Sequence, residues 1–304
     1  MDSLMQTLSA TDVRRAADRI RPYARRTPLL EVEMDGRRVL LKLEYLQRSG
    51  SFKLRGALNA ILSGPSADHV VAASGGNHGL AVATAAALLD VPATVYVPET
   101  VPEAKALRIV TAGARLVRHG ATFAEAASAA SEAAARSGYR FLHAYDDPMV
   151  VAGQGTVAAE IVADAPDVDA LVVAAGGGGL AAGTALASGG RGVVAVEPEH
   201  CRCLHDALAA GKPVDSAVDS VAASATGATR VGEIPFGILA AHGVTSLLVG
   251  DDRILRARDR LWDECRIAAE PAAAAPLAAW LAGEVPGERP CLVICGANVA
   301  WAGE

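Results

Sequence analysis

Val39-Leu40-Leu41-Lys42-Leu43-Glu44, followed after a short gap by Ser51-Phe52-Lys53-Leu54-Arg55-Gly56-Ala57, is the stretch on which the fold of this chain turns. The first run is apolar and opens on a β-branched residue, the mark of a strand. The second opens a segment in which Leu54, Ala57, Leu58, Ile61 and Leu62 recur at helical spacing. Lys53 therefore stands where a loop enters a helix, among free backbone N–H groups with a partial positive charge. An amine there, beside the cation of Arg55 and packed by Phe52, is expected to lose its proton more readily than a surface lysine. Unprotonated lysine is the form that makes a Schiff base with an aldehyde. Taken alone, the stretch reads first as a solvated lysine at a helix start. Its chemical meaning comes from the rest of the chain.

The strand-then-helix pattern repeats outward in both directions. Ser9-Ala10-Thr11-Asp12 fits a capping box, with Val13, Ala16, Ala17 and Ile20 at helical spacing behind it. Pro22 and Pro28 close that helix and lead to a strand at 39–43. Further strands are expected at 70–73, 93–97, 115–117, 141–143, 170–174, 193–196, 246–249 and 291–294. Helices are expected near 78–89, 102–112, 122–137, 153–163, 179–188, 253–268 and 271–283. Such alternation, with strands apolar on both faces, predicts an α/β fold of parallel sheets covered by helices. Segment 213–235, rich in Ser, Ala, Thr and Gly, is expected to be an irregular loop near the site.

Composition narrows the function classes. Net charge is −6 and aromatics are 4%, so the basic face and stacking platforms of a nucleic-acid binder are not expected. No apolar run reaches membrane-spanning length, and Met1-Asp2-Ser3-Leu4 lacks the basic and apolar regions of a signal peptide, so none is expected. Five cysteines, Cys201, Cys203, Cys265, Cys291 and Cys295, are odd in number and lack metal-finger spacing, which predicts a reduced, cytoplasmic protein. The basic cluster from Arg14-Arg15 to Arg25-Arg26 reads as a solvated face, with a subunit contact as the alternative.

Three more segments follow strands, at the carboxyl ends where open α/β sheets bind ligands. In Ser74-Gly75-Gly76-Asn77-His78-Gly79 the glycines let the backbone close on a ligand, and free N–H groups suit a carboxylate. A glycine turn capped by Asn77 is the plain alternative. Gly176-Gly177-Gly178-Gly179-Leu180 has more glycines than a turn needs and suits a phosphate held by backbone amides. No Gly-Lys-Ser/Thr follows it, so it is not a Walker loop. Cys295-Gly296-Ala297-Asn298 closes the last strand. Cys295 reads either as a small buried hydrophobe or as a thiol bonding weakly to a heterocyclic nitrogen.

An imine-forming lysine, a carboxylate cradle, a phosphate cradle and a weak ring-nitrogen partner together describe pyridoxal phosphate bearing an amino acid. In these motifs and their order the sequence resembles the fold type II (tryptophan-synthase-β-like) pyridoxal-phosphate enzymes, within them the serine/threonine dehydratase group. The resemblance runs from about Thr27 to Asn298 and takes in Lys42-x-Glu44, Asp146-Asp147-Pro148 and Gly153-Gln154-Gly155-Thr156. It implies that Lys53 holds the cofactor and acts as the base at Cα, with Phe52 against the ring. Asn77 is implied to bond the cofactor's 3′ oxygen, and Ser74, Gly75, Gly76, Asn77 and His78 to clasp the substrate carboxylate. Gly176, Gly177, Gly178 and Gly179 are implied to hold the phosphate, and Cys295 to face the ring nitrogen. The implied architecture is two open parallel-sheet domains: a large discontinuous one, residues 1–65 and 147–304, and a small mobile one, residues 66–146. Relatives are mostly dimers, so a homodimer is expected.

The implied reaction is loss of the β-hydroxyl from L-serine, L-threonine or a related β-hydroxy amino acid, giving a 2-oxo acid and ammonia. A dehydratase for another substrate such as 3-hydroxyaspartate is the next reading, favoured by a basic residue in the pocket. Racemisation needs a second base, and relatives that racemise serine carry a serine where this chain has Gly75. A cofactor-binding protein without catalysis stands last. Glu197 matches an acidic residue that binds a divalent cation in some relatives, but Cys203 stands where another acidic ligand belongs. No metal is therefore expected, and Cys201-Arg202-Cys203 reads as an ordinary helix start. Ala222-Ala223-Ser224-Ala225 and the alanines after Glu270-Pro271 also depart from the family pattern and neighbour the pocket. His78 and His143 are candidate acid–base groups or satisfied structural histidines. Six residues follow Asn298, so control through a C-terminal regulatory domain is not expected.

Overall fold

A computed structural model describes residues 8–64 and 68–299. Among these residues ten strands follow in chain order: β1 (Leu29–Met34), β2 (Arg37–Lys42), β3 (Val70–Ala73), β4 (Ala93–Val97), β5 (Arg115–Arg118), β6 (Arg140–Phe141), β7 (Ala170–Ala174), β8 (Gly192–Pro198), β9 (Thr245–Val249) and β10 (Pro290–Val293). They form two sheets, of order β1-β2-β10-β7-β8-β9 and β5-β4-β3-β6. Every pairing is parallel except β1 with β2. Inner strands such as β3 (VVAA) and β7 (ALVVA) are buried at every position, because helices cover both faces of a parallel sheet. The expected α/β fold with two parallel sheets is the one observed. No described helix is long and apolar enough to cross a membrane.

The edge strand β1 was not expected. Its exposed Glu31 and Glu33 break the apolar run that marks inner strands. The usable signal was Asp35-Gly36, whose backbone lies at φ +52° and +72°, the two-residue turn that joins a hairpin. Segment 213–235 is more ordered than expected. A short helix, Ala223–Thr226, stands within it, and the helix Glu233–Ala241 starts in its tail. The helix expected from residue 153 spans Pro148–Asp164. Asp147 caps it, its side chain accepting from the N–H groups of Met149 (2.7 Å) and Val150 (3.0 Å), with Pro148 in the first turn. The expected boundary between residues 65 and 66 lies outside the described residues.

The helix Lys53–Ser63 begins where two cores meet. Phe52 belongs to the cluster around β2, β7, β8 and β10, whereas Leu54, Ala57, Leu58 and Ile61 belong to the cluster around β3 and β4. Lys53 therefore opens into the cleft between the sheets. That placement follows from apolar residues on both sides of it, each drawn to a different core.

Candidate active site

Strands β2, β10 and β7 are neighbours, so the segments that follow them lie side by side at one sheet end. The backbone ties them together. Phe52 N–H donates to the Cys295 carbonyl at 3.0 Å, Ala297 N–H to the Gly50 carbonyl at 3.0 Å, and Ser51 bridges Gly296. Lys53 Nζ donates to the Ala144 carbonyl at 2.8 Å, with its ammonium 5.2 Å from the Phe52 ring centre. Burial lowers the Lys53 amine to about 8, against the opposing pull of Cys295 and Glu270. At pH 8 about half of such amines are unprotonated, against well under one in a hundred for an ordinary lysine.

Arg55 does not act as expected. Its charge is consumed by a buried network beneath the Lys53 helix. The guanidinium donates to both Glu44 oxygens (2.8 and 2.7 Å) and to both Glu160 oxygens (2.7 and 2.9 Å). Lys42 Nζ completes the set, donating to Glu160 at 2.6 Å and to the Thr27 carbonyl at 2.7 Å. Two cations thus face two carboxylates, and desolvation rather than a neighbouring cation lowers Lys53.

The phosphate-type cradle forms between β7 and the helix Gly179–Ala187. Gly178 sits at φ +91°, where a side chain is strained. At Gly177 a Cβ would collide with the Tyr145 ring. Among the described residues none accepts a hydrogen bond from the amides of Gly176, Gly177, Gly178 or Gly179. Unpartnered N–H groups at a helix start are an anion site.

Across the cleft, β3 delivers Ser74, Gly75, Gly76, Asn77 and His78, and all five line the same cavity as Lys53, Cys295 and the four glycines. Ser74 Oγ accepts from Gly76 N–H at 3.1 Å. Asn77 Nδ2 donates to Glu270 at 2.7 Å, and Asn77 Oδ1 accepts from Asn298 at 2.7 Å. Asn298 also donates to the Ser49 carbonyl, so this chain of amides joins the two sheets. The two histidines are structural. His78 Nε2 donates to the Leu142 carbonyl at 2.9 Å, and burial drives it down to about 3, so it stays neutral. His143 Nδ1 accepts from the Asp146 N–H at 2.9 Å, and burial lowers it as well. Burial also raises the Cys295 thiol far above its ordinary value, which keeps it protonated.

The cavity measures about 450 Å³, room for a cofactor with a small substrate. Three lining residues were missed by the sequence reading. Tyr145 packs on the cradle. Glu270 is buried beside Asn77, and that burial raises its pKa. Lys105, on the helix Glu103–Thr111, adds a cation beside Gly75 and Gly76. Lys105 follows the carboxyl end of β4, so the rule that found the other segments was its only signal.

Residues 20–296 match the family described as pyridoxal-phosphate dependent enzyme. The chain belongs to that family. The L-threonine ammonia-lyase of Geobacter sulfurreducens is 37% identical, over 96% of this chain and 76% of that protein. The L-threo-3-hydroxyaspartate ammonia-lyase of Saccharomyces cerevisiae is 34% identical, over 95% and 92%. A solved threonine deaminase, from the organism abbreviated T.th., superposes with a TM-score of 0.92 at 35% identity, covering 97% of this chain and all of that one. The residues present suit the family's cofactor: a partly buried amine ready to lose its proton, and a glycine cradle with free amides.

Proposed function

We propose that this pyridoxal-phosphate enzyme is an ammonia-lyase that removes water from L-serine, L-threonine or a related β-hydroxy amino acid. The products are a 2-oxo acid and ammonia. The observation that carries this reading is the buried amine of Lys53, which opens into the cavity at the entry of its helix, with the protonated thiol of Cys295 on the same lining. The cofactor, when bound, supplies an electron-withdrawing ring joined to the substrate's nitrogen.

The protein's own residues do the rest. Gly176, Gly177, Gly178 and Gly179 would hold the phosphate through their amides, and Phe52 would pack against the ring. Backbone amides from Ser74 to His78 would hold the substrate carboxylate, and Asn77, which gives one amide proton to Glu270, would have its second for the cofactor. Lys53 takes the proton from Cα. The β-hydroxyl takes up a proton, balancing the one removed from Cα, and leaves as water; the released enamine adds water and hydrolyses to the 2-oxo acid and ammonia. A thiol is a poor proton donor to a ring nitrogen, so Cys295 would leave the ring a weaker electron sink, which favours elimination.

Racemisation is disfavoured on two counts. Gly75 has no proton to give, and a Cβ there would lie 2.6 Å from Val101 Cγ2. An acidic substrate is the second reading, favoured by Lys105 in the cavity wall. Within the same proposal, residues 66–146 form a small domain that closes on a large one of residues 1–65 and 147–304, and the enzyme works as a cytoplasmic homodimer.

Turnover of a substrate panel tests the reading. Cofactor-loaded protein mixed with serine, threonine and 3-hydroxyaspartate should form 2-oxo acid from at least one of them. Bound cofactor without any product leaves a binding protein. Faster turnover of 3-hydroxyaspartate, lost selectively in Lys105→Met, establishes the second reading over the first.

A further inference from the structure

Behind the phosphate cradle lies a place where some relatives bind a divalent cation, and the residues of this chain do not suit one. Glu197, at the end of β8, is fully buried, and both of its carboxylate oxygens are taken. They accept from the backbone N–H groups of Leu204 (2.9 Å) and His205 (2.8 Å), in the first turn of the helix Cys203–Ala210. Cys203, where an acidic ligand belongs in the family pattern, offers a soft, uncharged sulfur, and hard divalent cations take oxygen. That thiol also has a partner: Sγ donates to the Gly176 carbonyl at 3.4 Å. Among the described residues no three His, Cys, Asp or Glu side chains converge closely enough to hold a metal. As expected, residues 201–203 lead into a helix.

These contacts form a mechanical path. Glu197 fixes the helix start to β8, and the first residue of that helix fixes Gly176, the first glycine of the cradle. On its other side Gly176 is backed by Thr226, which would stand 2.9 Å from any Cβ. We propose that this latch, Glu197 to the helix amides and the Cys203 thiol to the Gly176 carbonyl, takes the place of a cation, so the enzyme needs no divalent metal to hold its cradle. The inference rests on the cradle being the cofactor's phosphate site, as in the proposed function.

Thermal melting and cofactor retention of the holoenzyme test it, both measured in EDTA and in millimolar Mg²⁺, Mn²⁺ or Ca²⁺. The wild type should melt within about 1 °C of the same temperature throughout and keep its cofactor on dialysis against EDTA. Cys203→Asp breaks the thiol contact and sets a second carboxylate beside Glu197. It should melt lower in EDTA and gain about 3 °C or more with a cation. Cys203→Ser, which keeps a donor, should remain indifferent to cations. A wild type that loses stability or cofactor in EDTA and regains it with a cation overturns the proposal, as does a Cys203→Asp variant that folds yet ignores cations. If that variant does not fold, the wild-type comparison decides alone. A protein that binds cofactor but turns nothing over would sink the proposed reaction while leaving this melting result intact.

Discussion

The two walls of the cleft are built differently. The wall carried by β2, β10 and β7 is made of backbone: carbonyl-to-amide ties between Phe52 and Cys295, unpartnered glycine amides, and a closed ionic network underneath. The wall carried by β3 and β4 adds side chains to the backbone of Ser74 to His78: Asn77, which reaches across to Glu270 and Asn298 on the first wall, and Lys105 at the rim. Backbone geometry changes little with sequence, so the first wall is suited to an invariant cofactor. Side-chain contacts change with one substitution, so under the proposed function the second wall is where substrate choice would be set.

Lys53→Ala should have the largest effect, lowering turnover on the order of 10³-fold or more, with melting of the cofactor-free protein nearly unchanged. Equal loss of folding and activity would make Lys53 a structural residue. Arg55→Met attacks the same wall from below. It strands Glu44 and Glu160 without their shared cation and should cost about 3–5 kcal/mol in urea unfolding, since a broken buried pair leaves an uncompensated charge. A loss under about 1 kcal/mol would show that the network tolerates a missing member.

On the other wall the expected change is smaller. Asn77→Ala leaves the buried Glu270 without its side-chain donor and should reduce kcat/KM by about tenfold to a hundredfold, with cofactor still bound. Smallest is the pH effect. The lowered amine predicts that cofactor uptake by the apoprotein speeds up as pH rises through about 8 and then levels off. The sign follows because only the unprotonated amine attacks, and that form dominates above its pKa. Uptake that keeps climbing to about pH 10 would mean that the amine is not desolvated.

Much of the first wall was legible in the sequence because each part follows its strand directly. Lys53, Gly176 to Gly179 and Cys295 each sit just past an apolar run, and the rule about carboxyl ends of strands placed them together. Ser74 to His78 was legible for the same reason. Sequence failed where the partner lies far along the chain. Whether Arg55 tunes Lys53 or is spent on Glu160 depends on a helix crossing about 100 residues away. Tyr145 against Gly177, and Glu270 against Asn77, likewise exist only once the sheets meet. The histidines were left open by residue type and decided by their partners, a carbonyl for His78 and a backbone amide for His143.

Borohydride reduction of the cofactor-loaded protein, followed by digestion and peptide mass analysis, tests the central claim most directly. The cofactor's mass should be fixed to the peptide that contains Lys53 and to no other. An adduct on a different lysine, or no adduct from protein that still turns over substrate, would contradict the account.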